Sequence, residues 1–412
     1  MNTSKTCRAL FAAVAVVALF AGSPLGAAQP DARAIHERMI VLDTHLDTPA
    51  NFARPGWDML DRHTVADDGS QVDYPRMVEG GLDGGFFAVY TPQGERTPEG
   101  RAAARDAALL RLMQIREMVA RHGDKFALAT RPEDAAAIAA TGKRIVFISM
   151  ENGNPFGTDL TLMKTFRDLG VRMMSPVHFL NNDLGDSSTD PKGEEWGGLS
   201  PLGKAFVAEA NRLGVLIDQS HASDKVLDQM LALSKAPIIL SHSGCKAIYN
   251  HPRNIDDDHL KALAKAGGVI QINAYNAYMI DIPKNADRDA ATAALNTKYG
   301  PRGALSGDKL KAFRAELAAV EAKYPVPRAT FEDFMKHLVH ALKVAGVDHV
   351  GIGADFDGGG GLQGFDDATA YPKITEALLK AGYSEADLQK VWSGNVLRVL
   401  GEAQATGRKL QP

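Results

Sequence analysis

The sequence predicts an α/β fold, a (β/α)8 TIM barrel with a helical insertion between its seventh and eighth strands, and three observations carry that expectation. Eight apolar, strand-like segments recur along the chain. Most are separated by stretches of helical periodicity, the pattern of parallel strands joined by crossover helices. Nearly every segment then ends in a polar residue of metal-ligand type, at the end where barrel enzymes place their chemistry.

The segments are 40–47 (IVLDTHLD), 81–91 (GLDGGFFAVYT), 144–153 (RIVFISMENG), 171–179 (VRMMSPVHF), 214–221 (GVLIDQSH), 237–243 (PIILSHS), 267–275 (GGVIQINAY) and 349–358 (HVGIGADFDG). Between them, GRAAARDAALLRLMQIREMVARHG and SPLGKAFVAEANRLG have the amphipathic spacing of crossover helices. Residues 276–348 are far more than one helix requires. They read as a charged, Ala-rich helical excursion followed by the expected helix, FEDFMKHLVHALKVAG. The excursion suits a solvated flap over the barrel mouth or a surface decoration.

The N-terminus places Lys5 and Arg8 before an apolar run from Ala9 to Ala21 and small residues ending at Ala28. This is the pattern of a secretory signal peptide cleaved near Ala28, with 29–412 expected as a single barrel domain. No cysteine at the cleavage site suggests a lipoprotein anchor, and GRKLQP lacks the hydrophobic tail of a glycolipid anchor. The expectation is an exported protein, periplasmic in a Gram-negative host, without a stable membrane anchor.

Cys7 would leave with that leader, so Cys245 stands alone and an apolar core must supply the stability. With 45% hydrophobic residues over 412, the core is available. Loss of Lys5 and Arg8 from 46 basic residues leaves 44 against 50 acidic ones, a net charge of −6. That balance gives no electrostatic case for nucleic acid or anionic lipid as a partner.

The strand ends hold the chemistry. The first segment supplies His45 and Asp47, which project to one side because strand faces alternate with period two. The third supplies Glu151, the fourth His178, the fifth Asp218 and His221, the sixth His242, and the eighth Asp355 and Asp357. Singly, each has a plain structural reading: a packed histidine, a residue beside a helix cap, an acidic turn in DFDGGGG. Together at one end of successive strands they point to a metal centre. Histidines and carboxylates without cysteine suit Zn2+ or another borderline divalent ion. Glu151, between one His/Asp pair and a second His pair, could bridge two ions.

DTHLD, GLSPLGKAFVAEANRLGVLIDQSHAS, LSHSGCKAIYNHPRNIDDD and VGIGADFDG, in this order and spacing, resemble the membrane (renal) dipeptidase family of zinc peptidases within the amidohydrolase superfamily. The resemblance covers essentially the whole mature chain. It implies two Zn2+ per chain, one held by His45 and Asp47, the other by His221 and His242, with Glu151 bridging. It further implies that His178 contacts the scissile carbonyl, Arg253 the substrate carboxylate, that Tyr275 lines the pocket, and that Asp355 is the catalytic acid/base. The partners implied are small dipeptides with a free C-terminal carboxylate; homodimer formation is left open. Leu46 and Asn152 depart from the family's usual Asn and Gly, the latter bearing on pocket width beside Glu151. Cys245, inside a motif, is expected as buried packing rather than a bridge.

Two metals can share a water and lower its pKa enough to give a bridging hydroxide near neutral pH. Asp355 would take the proton and return it to the leaving amine, while His178 and one ion stabilise the oxyanion. Arg253 could form a bidentate pair with a carboxylate or could instead pair with Asp256, Asp257 or Asp258 downstream. Two other functions compete: β-lactam or lactone hydrolysis on the same scaffold, and a catalytically silent periplasmic binding protein. A binding protein would not need Asp355 together with all five ligands.

Overall fold

The computed structural model describes Met1 and residues 31–300 and 304–411. The expected leader lies outside the described residues. All eight predicted segments contain strands: β1 Leu42–Leu46, β2 Gly84–Tyr90, β4 Arg144–Glu151, β5 Val171–Met174, β6 Leu216–Ile217, β7 Ile239–Cys245, β9 Val269–Ile272 and β10 Val350–Ile352. Two short strands were not anticipated, β3 Phe126–Leu128 on the edge of β4 and β8 Asn254–Ile255 beside the end of β7. All pairings among these strands are parallel.

The strands form two ladders, β1-β2-β4-β5-β6 and β10-β9-β7-β8. Single parallel bridges, Asp218 to Ile239 and Leu46 to Phe356, join them, so the barrel is only partly closed by backbone ladders. Buried aspartates complete both seams. Asp218 Oδ1 accepts the Ser241 amide at 2.9 Å, and Asp43 Oδ2 accepts the Ala354 amide at 2.8 Å. Each carboxylate stands where a ladder carbonyl would, which keeps those buried amides satisfied.

The end of the barrel opposite the site is plugged by apolar side chains. Leu42, Phe86, Phe147, Met173, Leu216, Ile239 and Val269 form one buried cluster with Val396, Val399 and Leu400 of the C-terminal helix Asn395–Leu410. Phe86 and Phe147 stack at 4.9 Å. A larger core lies between the strands and the surrounding helices. The helix Pro98–Arg121 buries Ala104, Ala108, Leu112, Ile115 and Met118, the 3.6-residue stripe read in the sequence. The helix Pro201–Leu213 starts on Ser200, whose side chain accepts the Gly203 amide, and ends on Gly214 at φ 67°, a left-handed cap that favours glycine.

The excursion contains the helices Ala286–Tyr299 and Gly307–Lys323, which share a small core of Leu295, Tyr299, Leu305, Phe313 and Leu317. Arg314 donates to the Val65 carbonyl, tying this pair to the loop after β1. The expected helix follows at Phe331–Ala345, with a Thr330/Asp333 capping box. Among the described residues, no helix is long and apolar enough to cross a membrane.

Candidate active site

Each site residue sits where a strand runs out. β1 ends in a register irregularity between Asp43 and Leu46, and Asp43 Oδ1 holds the His45 amide at 2.8 Å. His221, Asp355 and Asp357 adopt left-handed backbone at φ 72°, 61° and 67°. Such conformations cost about 1–3 kcal/mol each and persist where the surroundings enforce them. Here they turn side chains inward at the barrel mouth. Gly358 keeps room beside Asp47 and Asp355, since a Cβ there would press into Asp47 Oδ2 and Asp355 Oδ1.

The result is a buried cluster centred on Glu151. Its Oε1 lies 3.1 Å from His221 Nε2, 3.4 Å from His178 Nε2, and 3.5 Å from both His45 Nε2 and His242 Nε2. His45 Nε2 is 3.3 Å from Asp47 Oδ2, and His221 Nε2 is 2.8 Å from His242 Nε2. Three overlapping groups place their donor atoms within 4.8 Å of one another: His45, Glu151 and His242; Glu151, His178 and His221; His45, Asp47 and Asp355. All five expected ligands are brought together. His178 and Asp355, expected in other roles, lie within the same distances.

This donor set fits divalent metal. Four imidazole nitrogens converge on one carboxylate oxygen, and His45 Nε2 and Asp47 Oδ1 are buried without a hydrogen-bond partner. Buried polar atoms are rarely left so. Two imidazole nitrogens as close as those of His221 and His242 are readily accommodated when both present lone pairs to a cation. Nitrogen and oxygen donors without sulfur suit Zn2+ or a similar ion.

The electrostatics match a crowded carboxylate site. Burial, with Asp47 and Glu151 adding to it, drives Asp355 well above the usual carboxylate range against the pull of His45. Burial also lowers His178 to about 4 despite Glu151 nearby. For Glu151, burial is outweighed by His45, His178 and the His221 hydrogen bond, which hold it well below an ordinary glutamate.

A cavity of about 200 Å³ opens over the cluster, lined by Asp47, Glu151, His178, His221, Asp355 and an aromatic wall of Tyr90, Phe179, Tyr275 and Tyr278. Tyr275 is among the residues of that wall. Tyr278, stacked on Tyr275 at 4.4 Å, was missed, although the repeated AY in INAYNAY was a signal. Tyr90 and Phe179 were missed as well. The two long helices of the excursion do not line this cavity; of the residues just after the seventh segment, Tyr278 does.

Arg253 is buried behind the wall rather than in the lining. Its Nη2 donates to the His242 carbonyl at 2.9 Å, its Nη1 to Ser243 Oγ at 3.3 Å, and Nε has no partner; the guanidinium lies 5.2 Å from the Tyr278 ring. The alternative pairing with the downstream aspartates is not observed: Asp256 caps a helix, Asp257 accepts from His340, and Asp258 faces Lys261. Asn152, in left-handed backbone at φ 77°, sends its amide to the Thr91 carbonyl at 2.8 Å and so does not narrow the pocket. Asp357 is a brace, accepting from Thr48 Oγ1 and the Gln71 amide. Cys245 is free and buried, and burial pushes its thiol up to about 12.

Comparison with known proteins agrees with this geometry. The family model described as membrane dipeptidase (Peptidase family M19) matches residues 29–412. The dipeptidase tcpJ of Claviceps purpurea is 30% identical over 81% of this chain and 69% of its own. The probable dipeptidase PvdM from Pseudomonas aeruginosa has a crystal structure with TM-score 0.76 and 31% identity, covering 91% of this chain and 98% of its own. A metallopeptidase from Rhodobacter sphaeroides, solved with a phosphinate mimic of the dipeptide L-Ala-D-Ala, has TM-score 0.68 and 26% identity over 89% of this chain and 99% of its own. With a barrel whose strand ends gather histidines and carboxylates around one glutamate, the chain belongs to the membrane dipeptidase family of metallopeptidases and is a peptide-bond hydrolase.

Proposed function

We propose that the protein is a binuclear zinc dipeptidase that cleaves L-Xaa-L-Xaa and L-Xaa-D-Xaa dipeptides with a free C-terminal carboxylate. The observation that carries this reading is the convergence of four imidazoles on Glu151 Oε1, flanked by Asp47 and Asp355. One ion would be held by His45 and Asp47, the other by His221 and His242, and Glu151 would serve both. When bound, the ions would polarise the scissile carbonyl and bring the pKa of an attacking water toward neutrality.

The chain's own residues do the rest. Asp355 accepts the proton of the attacking water and returns it to the departing nitrogen, one carboxylate serving both half-reactions. His178, kept neutral by burial, donates one N–H toward the carbonyl oxygen as charge develops there. Arg253, with Nε free, offers its fork to the C-terminal carboxylate past the edge of Tyr278. The aromatic wall excludes water and receives the side chains. The bound dipeptide mimic in the Rhodobacter sphaeroides relative supports a D-residue at the second position.

Residues 1–28 would be a cleaved leader and 29–412 one exported catalytic domain. The test is turnover of a matched panel: free dipeptides, their C-terminal amides and tripeptides. Rapid cleavage confined to free dipeptides supports the reading. Equal cleavage of amides and tripeptides would overturn it.

A further inference from the structure

His242 is the one cluster histidine whose outer ring nitrogen meets a side-chain partner among the described residues. Its Nδ1 lies 2.8 Å from Ser241 Oγ, whereas Nδ1 of His45 and Nδ1 of His221 have no partner. Ser241 Oγ is in turn 2.6 Å from Asp218 Oδ2, and Asp218 Oδ1 accepts the amides of Ser220 and Ser241 at 3.0 and 2.9 Å. All of these groups are buried.

Ser220 Oγ also lies 3.4 Å from Ser241 Oγ, but an ionised carboxylate oxygen at 2.6 Å outcompetes it for the serine proton, so the proton count along this line has one solution. An ionised carboxylate only accepts, so the single hydroxyl proton of Ser241 points to Asp218 Oδ2. Ser241 Oγ then meets His242 with a lone pair, and Nδ1 must carry the ring proton. A neutral imidazole has one N–H, so Nε2 is left with its lone pair directed at Glu151 and His221. We infer that Asp218, acting through Ser241, is a positioning residue that sets His242 as the Nδ1–H tautomer and so presents Nε2 as a ready ligand.

Asp218→Asn makes the prediction sharp. The site of Oδ1 faces two amide N–H donors, so the new carbonyl oxygen must occupy it and the NH2 must face Ser241. That amide donates to Ser241 Oγ and turns the hydroxyl toward Nδ1 at 2.8 Å, the shorter reach beside Ser220 Oγ at 3.4 Å. The ring proton then moves to Nε2, and the ligand lone pair is lost without any change of shape.

The experiment uses the full chain labelled with 15N-histidine, first metal-depleted and then titrated with Zn2+ against a competing chelator. The His242 signals are assigned by their loss in His242→Gln. The wild type should show a protonated Nδ1 and an unprotonated Nε2, and Asp218→Asn the reverse, with Zn2+ affinity about 10–100-fold weaker. Ser241→Ala should weaken Zn2+ similarly and Ser241→Thr, which keeps the hydroxyl, should restore it. Should Asp218→Asn not fold, the serine pair decides. A wild-type proton on Nε2, an unchanged tautomer in folded Asp218→Asn, or a threonine variant as weak as the alanine one would overturn the inference. It rests on the proposed metal centre only for the affinity measurement: a wild type with the expected tautomer and no Zn2+ binding refutes that centre and leaves the relay standing.

Discussion

Glu151 Oε1 and His221 Nε2 stand 3.1 Å apart, although 70 positions separate them in the chain and they follow different strands. The contact exists because β4 ends on Glu151 while the chain after β6 turns back through left-handed backbone at His221. A side chain from each strand end can then reach one point. The predicted chemistry depends on that convergence.

Asp355→Asn keeps the shape of the site and removes the proton carrier. The expected outcome is retention of both metals with kcat lowered by about 10²–10⁴-fold. Steady-state kinetics with metal analysis on the same sample checks it. Near wild-type kcat would reduce Asp355 to a strand-end brace, and loss of metal would move it into the ligand set.

Arg253→Ala removes the cation behind Tyr278. A charge-assisted pair contributes roughly 1.5–3 kcal/mol, so the preference of kcat/KM for a free dipeptide over its amide should shrink by about 10–100-fold. Matched acid and amide substrates on both proteins provide the comparison. An unchanged preference would place carboxylate recognition elsewhere.

Stability should fall in mild acid for reasons remote from the site. His36 is buried, its Nε2 donates to the Gly80 carbonyl and its Nδ1 accepts from Thr375, and burial lowers it from 6.5 to about 4. His337, whose Nδ1 accepts the Cys245 amide, is likewise lowered by burial to about 4. Both rings are neutral when folded and take up protons when unfolded, so the unfolded state binds more protons between about pH 6.5 and 4. Stability is then full above 6.5 and declines as pH falls, by up to roughly 3 kcal/mol for each histidine. Denaturant midpoints across this range for wild type and His36→Gln check it; the variant should show the shallower decline.

The strand ends were legible because period-two alternation and apolar runs locate them directly, and His45, Asp47, Glu151, His178, His221, His242 and Asp355 all meet in the structure. Three kinds of feature were not. β3 and β8 sit on the edges of β4 and β7 and lack the longer apolar run that marked the equally short β6 and β10. Tyr90 and Phe179 enter the cavity wall at the junctions where strands give way to loops, and no alternation rule says which way such residues face. The Asp218, Ser241 and His242 line crosses the seam between β6 and β7, a neighbour relation that only the curling of the two ladders toward each other creates. The interval read as flap or decoration contributes Tyr278 to the pocket and anchors its long helices on the loop after β1.

The central claim is tested most directly by the metal content of the purified protein, measured alongside turnover of a small dipeptide before and after chelation. The account predicts two divalent ions per chain, activity lost on chelation and restored by Zn2+, and no retained metal in Glu151→Gln, because that carboxylate serves both sites. A stoichiometry of zero with full activity after exhaustive chelation would contradict it.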